Sequence, residues 1–213
     1  MPIDKPRPAD QSFRGDRVEF TVSAHTHAAL QELARTHNAT VFMAVHAALS
    51  VLLSKLSGMN DIAVGTPIAG RGEAVLDNLV GMFVNTLVLR TRVDAPARFD
   101  ELLDRVREND LAAFANADIP FERVVEILDP ARSTARHPLF QVALFFQNLG
   151  TSQLELPNLS VSAVDFDAGI AKFDLQIAVS ETQDGNGWSI EFTYATDLFD
   201  ASGIERIEDR LLR

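Results

Sequence analysis

The hydrophobic and polar residues divide the chain into short segments with two different periods. In residues 17–22 (RVEFTV), hydrophobic side chains alternate with polar ones, which is typical of a β-strand with one buried face. Residues 24–38 instead place Leu30, Leu33 and Ala34 on one side of a helix, and Ser23 stands where a helix cap is expected. The pattern therefore predicts a strand followed by a helix.

The next segment, residues 41–57, is hydrophobic on nearly all sides and predicts a second helix. Thr40 is placed to cap its start, and Gly58 is placed to end it. Its polar residues fall on one narrow stripe, at spacings of four, four and three: His46, Ser50, Ser54 and Ser57. A helix with so little polar surface is normally buried between other elements. This implies a layered protein rather than a small helical bundle.

Residues 61–70 predict a buried strand, and residues 71–78 a connecting loop with one helical turn. The following stretch, residues 79–93 (LVGMFVNTLVLRTRV), also predicts a strand, but it contains Asn85. In an extended chain, Asn85 would share a face with large apolar residues. Burying an unpartnered amide costs about 1–3 kcal/mol. Either Asn85 has dedicated hydrogen-bond partners or its face opens onto a water-filled cavity, and the pattern alone favours neither.

After Pro96, residues 99–116 predict an amphipathic helix. Residues 118–128 predict another helix, with Asp118 as its cap and Pro120 in its first turn, where a missing N–H costs little.

The remainder of the chain predicts mainly strands, before a last helix that starts near Asp200. The predicted strands are residues 139–148, 159–167, 171–182 and 188–196, and residues 183–187 (QDGNG) form a hairpin turn between the last two. The element order β-α-α-β-β-α-α, then strands and a helix, predicts the α/β class: a mixed β-sheet sandwich covered by helices.

Composition narrows the class of protein further. With 213 residues and 46% hydrophobic residues, the chain fits one domain or one large lobe of a bigger domain. The net charge of −11 argues against a nucleic-acid partner, and no apolar run is long enough for a membrane helix. The sequence contains no cysteine, and its polar, Pro-rich opening is unlike a signal peptide. We therefore expect a cytoplasmic protein.

The residues alone do not reveal a complete catalytic set. The sequence has no nucleophile elbow, no Walker A sequence and no H-E-x-x-H motif. His25 and His27 lie two residues apart, so on a helix they point to different sides and cannot share a metal ion. None of the five histidines has an acidic residue nearby in the sequence that would orient it, and we predict no metal site.

Three stretches, in order, resemble motifs of the condensation domains of nonribosomal peptide synthetases. Residues 80–90 (VGMFVNTLVLR) resemble the G-x-F-V-N-T motif, residues 117–128 (ADIPFERVVEIL) the D-x-P-F-E motif, and residues 133–142 (STARHPLFQV) the R-x-P-L-F motif. Upstream DIAVGTPIAGR and downstream AKFDL and ATDLFD also resemble the family, so the likeness covers essentially the whole chain.

The resemblance implies a fold and a set of partners. Condensation domains consist of two lobes, each similar to chloramphenicol acetyltransferase. Donor and acceptor peptidyl carrier proteins deliver substrates on phosphopantetheine arms into a tunnel between the lobes, and no cofactor is bound directly. The family's catalytic H-H-x-x-x-D-G motif belongs to the N-terminal lobe, and no His-His pair occurs in this sequence. We therefore expect residues 17–213 to be a C-terminal lobe, inactive alone, and residues 1–16 to be the crossing segment from the N-terminal lobe.

The resemblance also suggests roles for single residues. Asn85 and Arg136 are predicted to line or support the tunnel, Asn85 near the reacting groups and Arg136 by pairing with carboxylates or carbonyls. Lys172 and Asp174 could face the tunnel or form a surface ion pair. Three alternatives stay open: the same lobe of an epimerization or heterocyclization domain, a carrier-protein docking module without catalysis, and a stand-alone acyltransferase with a catalytic histidine.

Overall fold

The computed structural model describes residues 1–72, 74–76, 78–94, 98–147, 159, 166, 168–182 and 187–213. Its strands are β1 (Gly15–Val22), β2 (Asp61–Ile68), β3 (Asn85–Arg92), β4 (Val142–Gln147), β5 (Leu175–Glu181) and β6 (Trp188–Ala195). Its helices are α1 (Ala24–Thr36), α2 (Val41–Ser57), α3 (Phe99–Ala115), α4 (Phe121–Leu128) and α5 (Ala201–Leu211), and a single 3₁₀ turn spans Ala74–Leu76. This order confirms the predicted α/β class.

The strands form one mixed sheet in the order β1-β6-β5-β4-β2-β3. β4 runs parallel to both of its neighbours, β2 and β5, and the other pairs are antiparallel. The parallel pairs are possible because long stretches of chain, including α3 and α4, separate the strands concerned. The mixed sheet covered by helices is the predicted architecture.

Helix α2 occupies the centre of the structure. Leu49 and Leu53 pack in the core cluster that includes Val64 and Leu144 of the sheet. On its other side, Met43 and Ala47 belong to a second cluster, with Ala34 of α1 and Leu102, Leu103 and Val106 of α3. Each fully buried leucine of this kind stabilises the fold by about 1.5–3 kcal/mol. The predicted caps are confirmed, because Thr40 accepts from the Met43 amide and Gly58 has the left-handed conformation, with φ of 70°.

The prediction of a strand starting at residue 79 is wrong, because β3 begins at Asn85. The β2–β3 ladder ends where Ile68 pairs with Asn85. The guanidinium of Arg71 donates to the carbonyls of Leu76 and Leu79 and lies 4.3 Å from the centre of the Phe83 ring. These contacts hold residues 79–84 in a loop, where most of the hydrophobic side chains are exposed.

The prediction that Asp118 caps α4 is also wrong. Helix α4 begins at Phe121, with Pro120 at the cap position and no hydrogen bond from a side chain of its own segment. The free amide of Phe121 is satisfied from another element, by Asn85. The predicted strand 159–167 lies mostly outside the described residues, as do Pro96 and most of the turn at 183–187.

The N-terminal segment before β1, residues 4–14, runs along the end of the sheet, and we call it the strap. Lys5 donates to the carbonyls of Thr196 and Phe199 and pairs with Asp200 at 2.8 Å. Gln11 donates its backbone N–H to the carbonyl of Thr134. The strap is therefore bound along its length to the body of the chain. The division at residues 16 and 17 stays a prediction.

Candidate functional site

Asn85 uses all the hydrogen-bonding capacity of its side chain. Its Nδ2 donates to the carbonyls of Ala117 and Ile119 at 2.9 and 2.8 Å. Its Oδ1 accepts from the amides of Thr86 and Phe121 at 2.8 and 3.0 Å. An amide side chain offers two donor hydrogens and two acceptor lone pairs, so all four are used.

These bonds decide the alternative that the sequence left open, because Asn85 has dedicated partners. The side chain joins the first residue of β3 to the loop between α3 and α4 and caps the first amide of α4. The structure therefore gives Asn85 a supporting role. Whether it also borders a tunnel stays a prediction.

An aromatic cluster lies beneath the start of α4. The rings of Phe121 and His137 stack at 5.4 Å, and His137 also contacts the rings of Phe140 and Phe173 at 4.3 and 5.1 Å. Phe140 is fully buried against β2, where a Cβ on Gly65 would lie only 2.1 Å from the nearest atom of its ring. Gly65 therefore makes room for Phe140, and this contact fixes the position of the R-x-P-L-F segment on the sheet.

His137 has a defined hydrogen-bonding state. Its Nδ1 lies 2.9 Å from the carbonyl oxygen of Pro138. A carbonyl can only accept, so Nδ1 carries a proton, and in the neutral ring Nε2 is the acceptor. Burial lowers the pKa of His137 from its ordinary value, and hydrogen bonds to the backbone of Pro138 and Phe140 oppose this shift.

A partly buried ion pair joins the strap to this cluster. Arg7 donates through Nη1 and Nη2 to both carboxylate oxygens of Asp174, which is largely buried, and the Nη1 contact is 2.9 Å. Arg7 Nη1 also donates to the carbonyl of Ala135 at 3.0 Å. Asp174 thus pairs with the strap rather than with Lys172. The bracing contacts expected of Arg136 are made by Arg7.

Two adjoining cavities lie at the 133–137 segment, and both are bordered by Ser133, Arg136 and His137. The larger, about 640 Å³, lies against the C-terminal part of α4 and its following turn. The smaller, about 490 Å³, lies between this segment, the strap and Lys172. The structure therefore brings Arg136 and Lys172 to one cavity, whereas Asn85 borders neither cavity.

Two unusual backbone conformations border these cavities. Phe13 borders the smaller one with φ of 60°, and Leu139 borders the larger one with φ of 65°. Asp129 also borders the larger one, with φ of 39°, but it ends α4 in the left-handed conformation that is common at helix ends. Residues other than glycine rarely adopt positive φ, and such strain is concentrated at functional sites. The observation marks this region as a candidate functional site.

Two histidines have carboxylate partners that the sequence analysis missed. His46 Nδ1 lies 3.0 Å from Asp110 Oδ2, and both side chains are completely buried. His37 Nδ1 lies 3.2 Å from Asp104 Oδ1. Both partners are on α3, more than sixty residues away, so a search nearby in sequence could not find them. The available signal was Asp110 itself, which interrupts the apolar stripe of α3 between Val106 and Phe114.

Among the residues that the structure describes, no group of three potential ligands is arranged to hold a metal ion. Within the same residues, no single helix is long and apolar enough to cross a membrane. Of the described helices, only α1 and α2 together are long and apolar enough for such a span, and these two helices are bent by 103° relative to each other.

The comparisons with known proteins agree on one family. The sequence profile of the condensation domain matches residues 1–213. The chain is 47% identical over 217 residues to a dimodular nonribosomal peptide synthase of Bacillus subtilis, a match that covers all of this chain and 9% of the synthase.

Solved structures share the fold. The X-domain in a complex with OxyB from teicoplanin biosynthesis superposes with a TM-score of 0.89 at 30% identity, over all of this chain and 47% of that one. The condensation domain of a Monacolin K polyketide synthase superposes with a TM-score of 0.83 at 20% identity, which shows the fold alone, over 99% of this chain and 48% of that one. The chain thus spans about half the length of these two structures.

Proposed function

Because this chain belongs to the condensation-domain family, we propose that it is the C-terminal half of a condensation domain that forms peptide bonds in nonribosomal peptide synthesis. The main support for the proposal is the share of each protein that the matches cover. The family profile matches all 213 residues, yet the chain covers 47% and 48% of two solved chains with the same fold. The other half would supply the H-H-x-x-x-D-G motif, since this sequence has no His-His pair.

The reaction accounts for the lack of a nucleophile in this chain. The amine nitrogen of the acceptor bonds to the carbonyl carbon of the donor thioester, the C–S bond breaks, and the amine proton leaves as the thiol is released. A thioester is already activated, so catalysis requires positioning of the substrates and transfer of that proton. A chain without cysteine can contribute the positioning.

Within this proposal, Asn85 and Arg136 support or line one side of the tunnel. Asn85 would act by holding the loop at Ala117 and Ile119 and the first turn of α4 against β3, as its hydrogen bonds indicate. Arg136 is exposed, and its guanidinium makes no ion pair or hydrogen bond with any residue in the described part of the chain, so it is free to contact a substrate or a carrier.

A chimera tests the proposal directly. This chain replaces the aligned 217 residues of the Bacillus subtilis synthase, and dipeptide formation from loaded carrier proteins is measured by mass spectrometry. We expect the chimera to form the dipeptide and the isolated chain to form none. A chimera that melts cooperatively but makes no dipeptide would contradict the proposal, and so would dipeptide formation by the isolated chain.

A second candidate is a recognition module that binds carrier proteins or a partner enzyme without catalysis. The observation that favours it is the X-domain, which has this fold at 30% identity and was solved in a complex with OxyB. Titrating the ¹⁵N-labelled chain with donor and acceptor carrier proteins tests this candidate. Chemical-shift changes on one contiguous surface are expected, and the absence of changes with both carriers would exclude carrier binding by the isolated chain.

A further inference from the structure

Most basic side chains of this protein are already neutralised. Of the 19 lysine and arginine residues, eleven form ion pairs with carboxylates, and Arg71 and Arg107 donate to backbone carbonyls. In the described part of the chain, the other six have neither kind of contact. Three of these six border the two adjoining cavities: Arg132, Arg136 and Lys172.

The two cavities differ in their balance of charge. The larger one is bordered by Arg132 and Arg136, but also by the carboxylates of Glu122, Glu126 and Asp129. Among the residues that the structure describes, the smaller one is bordered by Arg136 and Lys172 and by a single carboxylate, that of Asp10. In a protein with a net charge of −11, the smaller cavity is therefore a place where cations outnumber carboxylates.

The backbone around the smaller cavity is held in place by the strap. Gln11 donates its backbone N–H to the carbonyl of Thr134 and its side-chain amide to the carbonyl of Lys172 at 3.2 Å. Thr134 donates its hydroxyl to the carbonyl of Ala9 at 3.1 Å. One strap residue thus binds both segments that carry the two cations, and the site does not have to assemble before a ligand arrives.

We propose that Arg136 and Lys172 bind a phosphate ester in the smaller cavity. A guanidinium presents paired donors that match two phosphate oxygens, and an ammonium adds a compact second charge. The hydroxyl of Ser133 borders the same space. The cavity volume of about 490 Å³ leaves room for an organic group attached to the phosphate, and the half-exposed ring of Phe13 offers that group an apolar wall.

The source of the phosphate ester follows from the proposed function, on which this part of the inference rests. A carrier protein presents its substrate on a phosphopantetheine arm, which contains a phosphodiester, and a free phosphorylated metabolite offers the same chemistry. Binding to the cavity is tested with small molecules in solution, and the source of the phosphate ester is tested in a separate experiment.

Binding is measured by calorimetry with 4′-phosphopantetheine, pantetheine and inorganic phosphate as probes. We expect 4′-phosphopantetheine to bind, inorganic phosphate to compete with it, and pantetheine to bind at least about tenfold more weakly, the effect of one charge-assisted hydrogen bond. Arg136→Gln and Lys172→Gln should each weaken 4′-phosphopantetheine by about tenfold. Added salt should also weaken it, because the site is open to solvent.

The matched controls are Lys55→Gln and Arg210→Gln, which remove two other unpaired cations away from either cavity. Because all four side chains are exposed, the variants should melt like the parent chain. Equal binding of pantetheine and 4′-phosphopantetheine would overturn the site, as would equal losses in the test and control variants.

The source is tested in the Bacillus subtilis chimera with two donors, a carrier-bound thioester and a phosphate-free N-acetylcysteamine thioester. Lys172→Gln should slow the reaction of the carrier-bound donor and leave the reaction of the phosphate-free donor unchanged. Equal slowing of the two reactions, or no slowing of the carrier-bound one, would overturn the carrier arm as the source. An inactive chimera together with intact probe binding would count against the proposed function and not against this site.

Discussion

At the scale of single residues, the Asn85 amide shows how one side chain can join segments that are far apart in the sequence. It belongs to β3, but its partners Ala117, Ile119 and Phe121 lie more than thirty residues downstream. The loop at 117–120 and the start of α4 lack a cap of their own, because Pro120 occupies the cap position. A residue in another element therefore performs the capping.

We predict that Asn85→Ala destabilises the fold by about 2–3 kcal/mol, because it leaves two carbonyls and the Phe121 amide without their partner. Urea denaturation followed by circular dichroism measures the loss. Asn116→Ala is the control, since its exposed amide bonds only the carbonyl of Ala112 within its own helix. Equal losses for the two variants would contradict the capping role of Asn85. In the chimera, Asn85→Ala should also lower peptide formation.

We predict that His137 makes the stability of the fold depend on pH. Burial lowers its pKa in the folded state, so between the folded and unfolded values the unfolded chain binds more protons. The stabilisation due to neutral His137 is complete above the unfolded pKa of about 6.5, and it is lost as the pH falls through the folded value.

The pH dependence is checked by comparing the parent chain with His137→Gln at pH 7.5 and at pH 5.5. We expect the parent chain to lose more stability than the variant over this range. An NMR titration of His137 should give a pKa below that of an unfolded histidine peptide. An equal loss of stability in the two proteins, or an unshifted titration, would contradict the prediction.

At the scale of elements, the strap acts as a structural part of the sheet end rather than as a loose linker. Arg7, Ala9 and Gln11 each bond to the 133–137 segment. That segment in turn rests on Phe140, which lies over Gly65 in the sheet. These contacts link the strap to residues that border the two cavities.

We predict that Arg7→Gln or Asp174→Asn destabilises the fold by about 2–3 kcal/mol. This is less than the 3–5 kcal/mol expected for breaking a fully buried pair, because Arg7 keeps part of its contact with solvent. Hydrogen exchange should show faster exchange in the strap and in residues 133–137, with α2 unchanged.

The control is Arg14→Gln. Arg14 also belongs to the strap, and this change breaks its ion pair with Asp197. The Arg14 side chain is 76% exposed, so little change in the denaturation midpoint is expected. If Arg14→Gln destabilises the chain as much as Arg7→Gln, the two strap pairs are equivalent and the prediction is wrong.

The elements that the sequence predicted correctly are those whose signals are local. Ser23, Thr40 and Gly58 act within one turn of the helices that they cap or end, and the alternation in β5 and β6 is independent of other segments. The errors at residue 79 and at Asp118 have one cause. The loop at residues 79–84 is held by Arg71, and the first amide of α4 is capped by Asn85, so in both places the structure depends on a side chain from another segment. The buried pair of His46 and Asp110 was missed for the same reason, because a side-chain contact across two helices leaves no fixed spacing in the sequence.

At the scale of the whole molecule, the loop before β3 presents apolar side chains to solvent. The chain also spans only about half the length of two solved structures that share its fold. Val80 is fully exposed, and Met82 is 89% exposed. Arg71 holds this loop in place through carbonyl hydrogen bonds and the Phe83 ring, so the exposure does not come from a frayed end. A fixed apolar surface of this kind is typical of an interface, and under the proposed function the other half of the condensation domain would cover it.

The double variant Val80→Asp/Met82→Asp tests this assignment in two proteins. In the isolated chain, we expect the free energy of unfolding to change by less than about 0.5 kcal/mol per substitution, because neither side chain is buried there. In the chimera, the same substitutions should lower the melting temperature and peptide formation, because two carboxylates would be desolvated against the other half. Val75→Asp is the matched control, an exposed hydrophobic residue at the 3₁₀ turn of the same connection between β2 and β3. A chimera that tolerates the double variant as well as the isolated chain does would show that the loop before β3 is not part of that interface.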